Sequence, residues 1–257
     1  MTTTIKEDLT EVNTSLKPEK ISLLLPTRER PESMRRVWRS ARDTADHSKF
    51  IEICFYIDND DLISIEEAIN MASKCKRVKY KVGPRIVLSQ CWNECYKISS
   101  GEILMQCGDD LIFRSNHWDT IIRNMFRKHE DKIMFVHGDD GVNRDINYGT
   151  HGFLHRNWVK VVGYFLPPYF SSDYTDTWIN EMSKYLGRHY YIKDIYTEHM
   201  HFTLGKAEID QNTKDRLERH KKDKVEELYA KTKPQRVSDA AKLYLFIKNY
   251  QKLKDKI

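Results

Sequence analysis

The chain of 257 residues carries 43 Lys/Arg against 38 Asp/Glu, a formal net charge of +5, and is 40% hydrophobic and 32% charged. These figures describe a soluble globular protein with a strongly charged surface, of a length that fits one large domain or one domain plus an appendage. No apolar run approaches the roughly 20 residues that a membrane-spanning helix needs, so a membrane span is excluded.

Residues 1–20 are polar and of mixed sign, unlike a signal or transit peptide, and are expected to form a flexible N-terminus. Ile21 to Leu25 is an apolar strand stopped by Pro26. Pro31 to Ala45 suits a helix, with proline in the first turn and Met34, Val37 and Trp38 at helical spacing. Ile51 to Ile57 is a second strand ending in Asp58-Asn59-Asp60-Asp61. Ile63 to Cys75 reads as helix, Val78 to Val82 as strand, Val87 to Ile98 as helix and Glu102 to Cys107 as strand. His117 to His129 continues as helix and Lys132 to Val136 as strand. This alternation predicts an α/β fold with a mostly parallel central sheet and helices on both faces.

After Gly141 the rhythm breaks. Asp140 to Gly149 is loop-like, Asn157 to Val162 a short helix, and Leu166 to Asp173 an irregular wall or lid. Thr175 to Leu186 is an amphipathic helix and His189 to Tyr196 an aromatic strand. Two further helices, Thr213 to Ala230 and Ser238 to Lys254, join around Pro234. Gln211 to Ile257 holds 14 Lys/Arg against 7 Asp/Glu, so this segment carries +7 and the remainder −2. The expected division is residues 1–20, a domain over 21–204 and a basic helical appendage over 205–257. Cys91 and Cys95 lie four apart with no matching second pair, and the five cysteines read as reduced thiols of a cytoplasmic protein.

The strand ends carry the chemistry. Gly101 to Phe113 is a buried strand that stops at Asp109 and Asp110 and then turns apolar again. An unpaired buried carboxylate is strongly disfavoured, so two in succession call for a cation, and the carboxyl end of such a sheet is where ligands bind. A divalent metal with a phosphate-bearing ligand meets both demands. Leu25-Pro26-Thr27-Arg28-Glu29-Arg30-Pro31 places backbone N–H groups and two guanidinium groups at a helix start, suited to an anion. No G-x-x-x-x-G-K or G-x-G-x-x-G occurs, which argues against P-loop and dinucleotide-binding proteins. Asp58 suits a base N–H or a ribose hydroxyl. Glu198-His199-Met200-His201 offers a histidine where a third metal ligand is wanted.

Leu-Pro-Thr-Arg-x-Arg-Pro, Asp58, Asn93 ahead of Ser100-Gly101-Glu102-Ile103, and Gly-Asp-Asp together resemble the nucleotide-sugar glycosyltransferases of the GT-A fold, closest to the inverting family 2-like group. The resemblance spans about Ile21 to Leu204. It implies that Pro26, Thr27 and Arg28 line the nucleotide pocket, that Asp58 binds the base, and that Arg85 and Asn93 lie near the ribose or pyrophosphate. Gly108-Asp109-Asp110 stands where the family has Asp-x-Asp, with Asp110 as ligand to Mn²⁺ or Mg²⁺ and His201, or else His199, as the third-ligand candidate. Gly108 departs from the family's aspartate, so a ribose contact the family often makes from that position is lost or passes to Asp109. Asp176, with Asp173 as second choice, fits the general base that deprotonates the acceptor hydroxyl. The implied activity is transfer of a hexose or pentose, with inversion, from a nucleoside-diphosphate sugar, most readily a UDP-sugar. The +7 tail suits a polyanionic acceptor such as modified DNA, as in phage enzymes working in a host cytoplasm. The competing readings are a sugar-1-phosphate nucleotidyltransferase, which would carry a Gly-rich loop after the first strand, and a catalytically dead binding module of the same fold.

Overall fold

The computed structural model describes residues 3–4, 17–143, 147–171 and 173–255. The expectation of a flexible N-terminus falls largely outside them. Its described parts are Lys17 to Lys20, which lead into the first long strand, and strand β1 (Thr3–Thr4). Strand β2 (Ile21–Thr27) is followed by helix α1 (Pro31–Asp43), β3 (Ile51–Asp58), α2 (Leu62–Lys74), β4 (Val78–Gly83) and α3 (Leu88–Ile98). Then come β5 (Ile103–Gln106), β6 (Leu111–Phe113), α4 (Trp118–Arg127), β7 (Phe135–Asp139), β8 (Gly152–His155) and α5 (Arg156–Val162). The chain continues with α6 (Thr175–Tyr185), β9 (His189–His199), α7 (Gln211–Lys222), α8 (Val225–Lys231) and α9 (Lys233–Lys254).

Eight strands run in the order β1-β9-β7-β8-β5-β2-β3-β4, and β6 pairs with β9 off this path. Their burial explains the continuous apolar runs. Ile21, Leu23 and Leu25 of β2 and Ile53, Phe55 and Ile57 of β3 join the core beneath α1, α2 and α4. Leu24, Cys54 and Tyr56 face the opposite core with Trp92 of α3, Trp158 of α5, Trp178 of α6 and Leu243 of α9. A sheet covered on both faces needs apolar residues at successive positions, not alternate ones.

The sheet is less uniformly parallel than expected. β8 runs antiparallel between β5 and β7, and β6 runs antiparallel to β9. Residues 152–155 carry no predicted element, because so short an apolar segment has no periodicity to betray it. β7 begins at Phe135, after Ile133 and Met134 have approached it as buried irregular chain. β2 does not stop at Pro26. β5 has already ended opposite Leu24, so the strand beyond has one open side, where a missing N–H is tolerated. Pro234 lies in the first turn of α9, and the interruption comes earlier, at Lys224 with a left-handed φ of 47°.

These pairings bring distant residues together. Gln106 pairs with Gly152, which places the preceding His151 beside Gly108. Leu111 pairs with His199, which places Asp110 beside that histidine. β8 fits only because residue 152 lacks a side chain: a Cβ there would stand 2.3 Å from Phe135 Cε2 and 2.8 Å from the Val136 carbonyl. Gly152→Ala is therefore expected to destabilise the protein by about 1–3 kcal/mol through overpacking, read as a lower urea midpoint at unchanged m-value.

Candidate functional site

A cavity of about 650 Å³ opens at the carboxyl ends of β2, β3 and β5. Its wall includes Pro26, Thr27, Arg28, Asp58, Arg85, Asp109, Asp110, Asp173, Asp176, His199 and His201, so these sequence candidates share one space. Asn93 is not among the lining residues. Its amide donates to the Ser89 and Leu166 carbonyls at 3.0 and 2.8 Å and accepts from the Phe165 and Leu166 N–H groups at 2.8 and 3.2 Å. That set of bonds accounts for a polar residue on an otherwise apolar helix: Asn93 pins the irregular segment after α5.

The two adjacent carboxylates have different partners. Asp109 Oδ2 accepts from Thr27 Oγ1 at 2.9 Å, and its Oδ1 from Arg30 Nη1 at 2.8 Å. Burial raises the pKa of Asp109, and the Arg30 guanidinium opposes that rise. Asp110 faces the other way, its Oδ2 lying 3.0 Å from His199 Nε2. Burial opposes its ionisation, but the His199 hydrogen bond and charge outweigh it and hold the carboxyl well below the usual range.

His199 Nδ1 looks back at Asp140 Oδ2, 3.7 Å away, and its own N–H donates to the Asp140 carbonyl at 2.9 Å. Asp140 Oδ1 is fixed by the N–H groups of Val142 and Asn143, at 2.9 and 2.8 Å. Burial would lower the His199 pKa, yet flanking carboxylates on both sides raise it to about 9. His151 stands edge-on to His199 with ring centroids 4.8 Å apart. Its pKa is pushed down to about 4 by burial and the neighbouring His199 charge.

Donor atoms of Asp110, His151 and His199 all lie within 4.8 Å of one another. His201 is outside this group, its Nδ1 engaged with Thr203 Oγ1 at 2.8 Å. The buried Nδ1 of His199 is too far from Asp140 for a hydrogen bond in this arrangement, and the buried Nδ1 of His151 has no partner among the described residues. A divalent metal fits this donor set. Asp110 and the histidines are the residues that would hold it, with Asp140 standing behind His199 as an outer partner.

Of the cavity's arginines, Arg28 and Arg30 come from the loop after β2, and Arg85 from the turn between β4 and α3. Arg28 bridges Asp58 and Asp60, with Nη1 at 3.0 and 2.5 Å from them, and Arg30 reaches Asp109 and Asp210. Arg85 pairs with Asp215 at 2.9 Å and lies 3.9 Å from Asp58. Helix α7 thus closes one side of the cavity, carrying Asp215 with Asp210 as its N-cap. The tail's cations are partly spent on the same fastening: Arg216 binds Asp173, Arg236 binds Glu181 and Lys254 binds Glu130.

On the wall of the same cavity, Asp173 and Asp176 flank the start of α6. Both oxygens of Asp173 are occupied, by Arg216 Nη1 at 2.6 Å and His220 Nδ1 at 2.7 Å. Asp176 meets no cation among the described residues; it accepts from the Thr177 N–H at 2.8 Å and from the Tyr148 hydroxyl. Burial raises its pKa to about 6.

Sequence reasoning did not single out His151, Asp140, Asp210 or Tyr148. The first two come from the irregular stretch between β7 and β8, and only the antiparallel register of β8 reveals His151. Arg30 was visible in the motif, but its bond to Asp109 was not.

No protein-family model and no curated protein matches the chain. Solved structures do. Over 76% of this chain, and 60% of the other, it superposes on a mannosyltransferase, PcManGT, from Pyrobaculum calidifontis in complex with GDP-Man and Mn²⁺, with TM-score 0.56 and 10% identity. It also matches residues 1–349 of TarS from S. aureus in complex with UDP-GlcNAc, over 69% of this chain and 58% of that one, with TM-score 0.51 and 14% identity. The chain spans only 36% of the longer TarS structure. The fold is that of GT-A-type glycosyltransferases, as the strand-end motifs implied.

The clustered charges give the metal-free protein a characteristic pH response. His199, raised from 6.5 to about 9, contributes stability that is complete below pH 6.5 and lost as pH rises through 9. Asp110 and Asp140, depressed from 3.8, contribute stability that is complete above that value and lost under acid. Thermal melts in EDTA should fall between pH 7 and 10 by an amount on the order of 2 kcal/mol, and His199→Gln should flatten that slope.

Proposed function

We propose that this protein is a metal-dependent glycosyltransferase that moves a sugar from a nucleoside-diphosphate sugar to an acceptor hydroxyl with inversion. The observation that carries the reading is spatial. One cavity at the sheet's carboxyl end is lined by a metal-competent cluster, Asp110 with His199, by Arg28, Arg30 and Arg85, and by Asp176, an acid with no counter-ion among the described residues.

Each part has a defined task in that reaction. Pro26, Thr27 and Asp58 line the nucleotide end, where the buried Asp58 carboxylate accepts from base or ribose donors. Arg30, held by Asp210 in the free protein, turns to the diphosphate when the donor enters, and Arg85 does the same from Asp215. Mn²⁺ or Mg²⁺ held by Asp110 and His199 would neutralise charge developing on the departing diphosphate. Asp140 orients His199, and Asp109 locks the β2 loop against the end of β5 through Thr27 and Arg30.

Asp176 takes the acceptor proton. It is preferred over Asp173 because both Asp173 oxygens are taken, by Arg216 and His220, whereas Asp176 has only hydrogen-bond donors among the described residues and a carboxyl tuned to about 6 by burial. A base with that value is ionised at neutral pH and still basic enough to assist attack. A hydroxyl arriving from this side meets the anomeric carbon opposite the diphosphate, which inverts configuration. The mannosyltransferase and TarS complexes, holding GDP-Man with Mn²⁺ and UDP-GlcNAc respectively, support a nucleotide-sugar donor.

Two substitutions separate the roles. Asp176→Asn should lower turnover about 10²–10⁴-fold while leaving sugar-nucleotide affinity near wild type. In the unaltered enzyme kcat/KM should rise with pH through about 6, and that limb should vanish in the variant. Asp110→Asn should weaken nucleotide binding only where Mn²⁺ is present, as calorimetry with and without EDTA would show. Unchanged turnover in Asp176→Asn would move the base elsewhere.

A further inference from the structure

We propose that His151 is a third protein ligand at the metal centre, and that the resulting pair of imidazoles and one carboxylate selects Mn²⁺ and similar transition metals over Mg²⁺. The inference rests on Asp110 and His199 binding the metal, as read above.

Three observations meet at one point. The donor atoms of His151, His199 and Asp110 lie within 4.8 Å of one another, close enough for a single ion to gather them with small rotations. The register of β8 against β5 fixes where His151 stands, so its approach does not depend on a long loop. Gly108, the departure from the family's Asp-x-Asp pattern, sits against the same atoms. A Cβ at residue 108 would lie 2.6 Å from Asp110 Oδ1 and 3.0 Å from His151 Nε2. An aspartate at 108 and an imidazole at 151 therefore compete for one volume. This chain has no carboxylate at 108 and an imidazole at 151.

The exchange changes the chemistry of the centre. Mg²⁺ prefers oxygen ligands in near-ideal octahedral geometry and gives up water reluctantly. Imidazole favours later first-row ions, and two histidines with one carboxylate leave open positions for phosphate oxygens and water. Two nitrogens and one carboxylate from the protein thus weigh against Mg²⁺.

The test uses the full chain and MnCl₂ alone, followed by MgCl₂. Pulsed electron paramagnetic resonance of bound Mn²⁺ should show two nitrogen couplings in the wild type and one in His151→Asn. Calorimetry should show Mn²⁺ bound at least about tenfold more tightly than Mg²⁺ by the wild type, and that ratio should shrink in His151→Asn. A single nitrogen in the wild type, or an unchanged ratio in the variant, overturns the inference. If His151→Asn melts without a cooperative transition, the wild-type nitrogen count decides alone. The two readings fail differently. Two nitrogens without sugar-nucleotide turnover would remove the glycosyltransferase reading and keep this one; turnover with one nitrogen would do the reverse, and no Mn²⁺ binding would remove both.

Discussion

Adjacent carboxylates at the end of a buried strand must be neutralised, and the way this chain divides that task organises everything around the cavity. Asp109 turns toward β2 and takes Thr27 and Arg30; Asp110 turns toward β9 and takes His199. One residue thus ties the acidic strand to the arginine-bearing loop after β2, and its neighbour ties it to the histidines. Either carboxylate left alone at such a position would cost several kcal/mol or remain protonated. The pair is stable because cations reach it from opposite sides, and those same groups are the ones a metal and a diphosphate would engage.

The first half of the fold was legible because a sheet covered on both faces writes its strands as unbroken apolar runs separated by amphipathic helices. Thr27, Asp58, Asp109 and Asp110 could be read as site residues for the same reason: each interrupts or follows such a run at its carboxyl end. His151 and Asp140 could not. They flank an irregular stretch, and what brings His151 to the site is a four-residue antiparallel strand too short to announce itself. Asn93 shows the converse limit. A polar residue on an apolar helix is visible in the sequence, but whether it serves a ligand or clamps backbone depends on which carbonyls come near. Here those of Ser89 and Leu166 do.

The basic tail also changes meaning in three dimensions. As a sequence, +7 over its last residues suggests attraction to a polyanion. In the fold, Arg216 and His220 hold Asp173, Asp210 and Asp215 hold Arg30 and Arg85, and Leu243 and Ile247 of α9 join the core against α5 and α6. Part of that charge is a fastening that keeps one wall of the cavity in place. By occupying Asp173, the tail also leaves Asp176 as the acid of that pair with no counter-ion among the described residues.

The central claim is that Asp110 and the histidines form a metal site facing a diphosphate. Crystals grown with MnCl₂ and UDP, measured at a wavelength where manganese scatters anomalously, test it most directly. The account predicts one strong anomalous peak among Asp110, His151 and His199, about 2.2 Å from their donor atoms, in contact with the UDP phosphates beside Arg30. UDP bound with no such peak, or with manganese held elsewhere in the cavity, would contradict it.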